Sequence, residues 1–245
     1  MVTAEPAAGW RERSSPHLRG HLLLFDQPPA PTYDAHTGLR LLLTAVLLEV
    51  VRLAAVKWLY PAAPLWLLLP LLLGFALLIV PIVTGLRLSA LGLRRWADWS
   101  VTEKSYLLQV VVIANVVFAI VLATPLKDRL VQSGVVWTLG GVFVPYLFYG
   151  FYQEVVYRGL AQLELVRRWG APVGIGVANA LYAFGPLHAG YFSSPASVAV
   201  PMFASIFIMG LFFGVVFRRS GNLWLVALFH AIGNAYLVTS LGPLR

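Results

Sequence analysis

The chain has no cysteine and very little charge: of 245 residues, 18 are Lys or Arg and 10 are Asp or Glu, 11% in all. The missing cysteines exclude disulfides, thiolate metal sites and a cysteine nucleophile together. Water-soluble chains carry about 25% charged residues, so the shortage of charge excludes both an ordinary cytosolic enzyme and a disordered polar chain. Internal repeats and strand-like alternation are also lacking, which argues against solenoids, sheets and repeat-built transporters. What fills the sequence instead is apolar: 59% hydrophobic residues and a mean hydropathy of +0.79. A net charge of +8 in such a chain reads as a topology signal, basic residues gathering in cytoplasmic loops, rather than as a nucleic-acid surface. No nucleic-acid partner is expected. The 15 Arg against 3 Lys are in keeping with a GC-rich bacterial genome.

Residues 1–38 are polar and proline-bearing, and their one apolar patch, Leu22 to Phe25, is too short for a signal-peptide core. A loose cytoplasmic tail is expected there. After it come apolar runs of the roughly 20 residues that cross about 30 Å of hydrocarbon. They cover about 39–59, 64–84, 105–125, 134–153 (its helix continuing to about 166), 171–191, 198–217 and 222–241. A lipid-facing backbone must satisfy its own hydrogen bonds, so these runs predict helices. The fold expected is an all-α polytopic bundle of about seven transmembrane helices, eight if 96–104 hides another. With the N-terminus on one side, 12 of the 18 basic residues share that side, which predicts a cytoplasmic N-terminus. An inner-membrane location follows.

Ionisable residues inside a bilayer are costly, so each is a functional candidate. In the first run Glu49 and Arg52 stand i,i+3 and are expected to pair on one helix face, with Lys57 near its end. Three later runs each carry a pair one helical turn apart: Glu154 with Arg158, Phe184 with His188, and His230 with Asn234. Counted from the nearest cytoplasmic helix ends, Glu154, His188 and His230 sit at depths of roughly 18, 26 and 14 Å, compatible with one half-buried layer. A carboxylate, two histidines and an amide at one depth make a candidate hydrolytic site.

At these residues the chain resembles the CPBP family of CAAX proteases and bacteriocin-processing intramembrane proteases, the Rce1-like or ABI-type proteins. The family pattern is Glu-Glu-x-x-x-Arg, then Phe-x-x-x-His, then His-x-x-x-Asn. Here it reads Gln153-Glu154-Val-Val-Tyr-Arg158, Phe184-Gly-Pro-Leu-His188 and His230-Ala-Ile-Gly-Asn234. The resemblance covers about 134–241 within a membrane domain of 39–245. It implies an intramembrane endopeptidase acting on a hydrophobic or lipidated peptide or protein among membrane lipids. Under it His188 positions or activates water, His230 and Asn234 form the oxyanion side, Glu154 and Arg158 hold the site, and Phe184 contacts substrate. No cofactor is required; a zinc ion on Glu154, His188 and His230 is compatible with the residue types, although the His-Glu-x-x-His signature is lacking.

One position departs from the pattern. Gln153 stands where the family has its first Glu, and a neutral amide cannot act as a general base. Three readings stay open: a deliberately inactivated form, a natural pseudo-protease, or an active variant in which Glu154 takes the catalytic part. The alternative function is a non-catalytic membrane protein that grips a hydrophobic tail without cutting it. A transporter or channel comes third.

Overall fold

The computed structural model describes residues 32–60 and 63–242; the tail expected over 1–38 lies outside the described residues as far as position 31. Eight α-helices follow in the order α1 (Ala35–Ala54), α2 (Leu65–Thr84), α3 (Val101–Val121), α4 (Ala123–Ser133), α5 (Val144–Glu154), α6 (Leu163–Phe184), α7 (Ala196–Ser220) and α8 (Leu223–Leu241). Wider π-helical turns extend α1 over Ala55–Leu59, precede α5 over Trp137–Phe143, and join α5 to α6 over Val155–Gln162. The all-α membrane bundle predicted from the apolar runs is what forms, with no strand among the described residues.

Local chemistry sets the helix ends. Asp34 accepts the Thr37 amide at the start of α1, and Ser100 and Glu103 form a reciprocal capping box on α3. Asn222 accepts the Trp224 amide to open α8. Gly221 closes α7 at φ 57°, a left-handed turn that other residues enter only with strain. Glu103 has a second role: it binds the Asn222 amide at 3.1 Å and the Arg94 guanidinium, tying the start of α3 to the start of α8.

The span count differs from the seven runs. Helices α2, α3, α7 and α8 are each long and apolar enough to cross a membrane, and α4 with 137–184 makes a fifth candidate bent by 111°. Helix α1 is not among them, because Arg40, Glu49 and Arg52 all fall within it. The run at 105–125 is divided between α3 and α4, and Gly170 at φ 77° breaks α6 near its first third. The run at 171–191 stops being helical at Phe184, where Gly185 and Pro186 end α6. His188 therefore lies in a connecting loop, and its i,i+4 relation to Phe184 is not a helical one.

The core is built where α5 meets α8. An added Cβ at Gly150 would lie 2.6 Å from the Ala231 Cα, so these two backbones touch without intervening side chains. Tyr152, Val155, Leu160, Leu223, Leu225 and Ala227 complete the buried seam. The outer faces carry Leu43, Val46, Ile82, Val116, Ile120 and Ile208, all exposed, as a lipid-facing surface requires. Gly150→Ala should cost about 1–3 kcal/mol by overpacking and lower the thermal midpoint in detergent. Gly176→Ala, with open space around the new methyl, should leave it unchanged; equal midpoints for the two variants would contradict the close α5–α8 contact.

Candidate active site

Helix α5 ends on Gln153 and Glu154, and the π-helical turns that follow carry Arg158. Such turns interrupt the regular i→i+4 ladder and recur at functional sites. Here Glu154 and Arg158 stay on one face: Arg158 Nη1 lies 3.1 Å from Glu154 Oε1, and both residues are buried. The same Oε1 accepts the His230 Nδ1–H of α8 at 2.6 Å. Glu154 Oε2 is buried and has no hydrogen-bond partner among the described residues. A carboxylate placed this deep is tolerable only with charge-assisted partners, and Arg158 and His230 supply them.

Arg158 is itself held from three sides. Its Nη2 donates to the Gly210 carbonyl at 3.0 Å, and its guanidinium lies 4.3 Å from the centre of the Tyr182 ring and 5.9 Å from that of Phe213. Glycine at 210 permits this approach, since a Cβ there would fall 2.0 Å from Asn179 Oδ1 and 3.0 Å from Arg158 Nη2. One turn on, Gln162 donates to the Gly214 carbonyl at 2.8 Å, and Asn179 donates to that of Phe207 at 2.9 Å. Helix α7 thus offers its backbone carbonyls to the polar side chains of the site.

Tyr182, near the end of α6, connects the two histidines. Its hydroxyl is 3.2 Å from His230 Nε2, and its backbone carbonyl accepts from His188 Nδ1 at 2.9 Å. A carbonyl oxygen only accepts, so the His188 proton sits on Nδ1 and Nε2 carries the lone pair. The His188 ring meets Tyr182 edge to face at 5.0 Å, and His230 stacks on Phe213 at 5.3 Å. Glu154, Arg158, Tyr182, His188 and His230 thereby form one connected set from α5, the π-helical turns, α6, its following loop and α8.

Gln153 and Asn234 form a second, adjoining pair, Asn234 Nδ2 donating to Gln153 Oε1 at 3.4 Å. The Tyr149 hydroxyl also interacts with the Gln153 side chain, and Arg52 Nη1 donates to Tyr149 at 3.4 Å. Arg52 and Glu49 make the i,i+3 ion pair read from the sequence, at 2.8 Å. The structure adds that this pair reaches the site through Tyr149, while Tyr152 donates to the Leu48 carbonyl at 2.7 Å. Phe184 packs on Phe203 and Phe207 of α7, at 5.3 and 5.7 Å between ring centres.

Sequence reasoning missed Tyr182 and Tyr149. Both are ordinary aromatics in apolar runs; the one available signal was that Tyr182 precedes the Phe184 to His188 segment by two residues. The zinc set of Glu154, His188 and His230 does not converge. Among the described residues no three His, Cys, Asp or Glu side chains are grouped to hold a metal ion: His230 turns Nδ1 to Glu154, and His188 turns Nδ1 to a carbonyl.

Residues 135–236, which hold every one of these motif residues, match the model of the type II CAAX prenyl endopeptidase Rce1-like family. That segment is Rce1-like. No curated protein and no solved structure matches the chain. The Rce1-like match agrees with the resemblance carried by the three motifs, and the apolar helices are those of an integral membrane protein. Within the Rce1-like segment, removing one partner of a buried ion pair strands the other, at a cost of about 3–5 kcal/mol. Glu154→Ala should therefore lower thermal stability well beyond Asn234→Ala, whose partner is a neutral amide at 3.4 Å. Comparable losses in thermal denaturation would contradict a Glu154-centred network.

Proposed function

We propose that the chain is an intramembrane endopeptidase that hydrolyses a peptide bond of a hydrophobic or lipidated substrate, with His188 as the general base. The observation that carries this reading is the His188 tautomer: Nδ1 is committed to the Tyr182 carbonyl, which leaves Nε2 ready to take a proton from water. Water attacks the scissile carbonyl carbon while His188 Nε2 accepts its proton. The developing oxyanion is met by the side-chain N–H of Asn234, on the side of the site where His230 stands. His188 then returns the proton to the leaving amine as the C–N bond breaks. Glu154 and Arg158 act by holding the His230 ring in one orientation.

In this scheme the neutral Gln153 holds the Asn234 amide through Oε1, where a glutamate would lend a second base. The N-terminus faces the cytoplasm of a bacterial cell, on the distribution of basic residues.

A membrane-presented prenylated peptide, its cleavage followed by mass spectrometry, tests the reading. Substitution of His188 by Ala should reduce turnover by about 10²- to 10⁴-fold, the usual contribution of a positioned general base. Gln153→Glu should raise turnover by restoring a carboxylate beside the water. If His188→Ala leaves turnover untouched, the assignment of the base fails. If substrate accumulates bound and uncut on both the natural chain and Gln153→Glu, the chain is a non-catalytic binder.

A further inference from the structure

Tyr182 touches the site through three different parts of itself. Its ring is held in place: the Arg158 guanidinium lies 4.3 Å from the ring centre, and Tyr157 meets it edge to face at 5.3 Å. Its hydroxyl is 3.2 Å from His230 Nε2. Its backbone carbonyl is 2.9 Å from His188 Nδ1.

The carbonyl is free to do this for a reason written in the sequence. Inside an α-helix it would accept the amide hydrogen of the residue four positions on. That residue is Pro186, which has no amide hydrogen. The Tyr182 carbonyl is thereby left over at the end of α6, and a buried carbonyl needs a donor. The loop brings His188 Nδ1–H back to it. An amide at position 186 would compete for the same oxygen, so proline there reserves the acceptor for the His188 ring.

The hydroxyl acts in the opposite sense, as a donor. Glu154 and Arg158 cancel each other's charge across 3.1 Å in a buried site. A second positive charge on His230 would then stand uncompensated in an apolar bundle. The His230 ring is therefore neutral, with its one proton on Nδ1 toward Glu154, and Nε2 accepts from the Tyr182 O–H.

We propose that Tyr182 and Pro186 are positioning residues that set the tautomers of both histidines: the Tyr182 hydroxyl for His230, and the Tyr182 carbonyl, kept open by Pro186, for His188. The proposal rests on the endopeptidase reading in giving His188 the part of base, and it deepens that reading. The nitrogen that takes the proton from water is chosen by the amide that Pro186 lacks. His230, with both nitrogens engaged, is confined to a holding role.

Nitrogen-15 NMR of the histidine-labelled full chain in nanodiscs tests this, with ring signals assigned by single histidine substitutions. In the natural chain both rings should be neutral and protonated on Nδ1. Tyr182→Phe should move the His230 Nε2 signal to that of an unbonded lone pair and leave His188 on Nδ1. Pro186→Ala should spread the His188 proton over both nitrogens and leave His230 in place. This crossed pattern separates two lost contacts from a general loosening, which moves both rings in both variants. The proposal is overturned if His230 is protonated on both nitrogens, if either variant leaves its own histidine unmoved, or if the two rings shift together. Cleavage of the prenylated peptide by the same samples should show kcat lowered about threefold to tenfold in each variant, the worth of one hydrogen bond, at unchanged KM. Tautomers as drawn in a chain that cuts nothing count against the endopeptidase alone; cleavage with unmoved tautomers counts against these positioning roles alone.

Discussion

The constraint on which the rest of the site depends is the burial of one carboxylate. Glu154 is fully enclosed in an apolar bundle, where an unpaired negative charge would be intolerable. Its pairing with Arg158 and His230 draws three elements to one point. Arg158 must then be satisfied in turn, and this recruits the Gly210 carbonyl and the Tyr182 ring. Glycine at 210 and at 150 follows from the same demand, since backbone must approach where side chains would block the polar contacts or hold the helices apart. Small residues at these crossings are the means by which membrane helices come close.

Catalytic potential grows from this scaffold. A histidine locked by a carboxylate on one nitrogen has one nitrogen left to face outward, and His230 uses it toward Tyr182. His188 fixes its Nδ1 in the same way, but on a backbone carbonyl. The two histidines thus differ in environment although they are the same residue type: one is fixed by a buried carboxylate, the other by a neutral carbonyl. Gln153 and Asn234 stand beside them as a neutral amide pair.

The loop carrying His188 shows how a sequence pattern holds while its expected geometry does not. Phe184 and His188 keep the spacing of a helical turn, yet Gly185 and Pro186 end the helix between them. A proline ring removes an amide donor and disfavours helical geometry in the residue before it. Leaving the helix frees the His188 ring to fold back on the Tyr182 carbonyl. The first helix shows the converse: Glu49 and Arg52 pair as their spacing predicts, but their link to Gln153 through Tyr149 spans some hundred positions of sequence.

Composition and spacing alone determined that the chain is a helical membrane protein, that its polar residues cluster in three motifs, and that Glu154 with Arg158 and Glu49 with Arg52 are ion pairs. These are local properties: apolar run length answers to bilayer thickness, and i,i+3 or i,i+4 neighbours meet on any helix. Only the tertiary structure decided that Glu154 also holds His230, that Tyr182 bridges the two histidines, and that Arg52 reaches Gln153 through Tyr149. Each of those rests on contacts between residues far apart in the chain, and such contacts depend on how helices cross, which hydrophobic periodicity leaves unspecified.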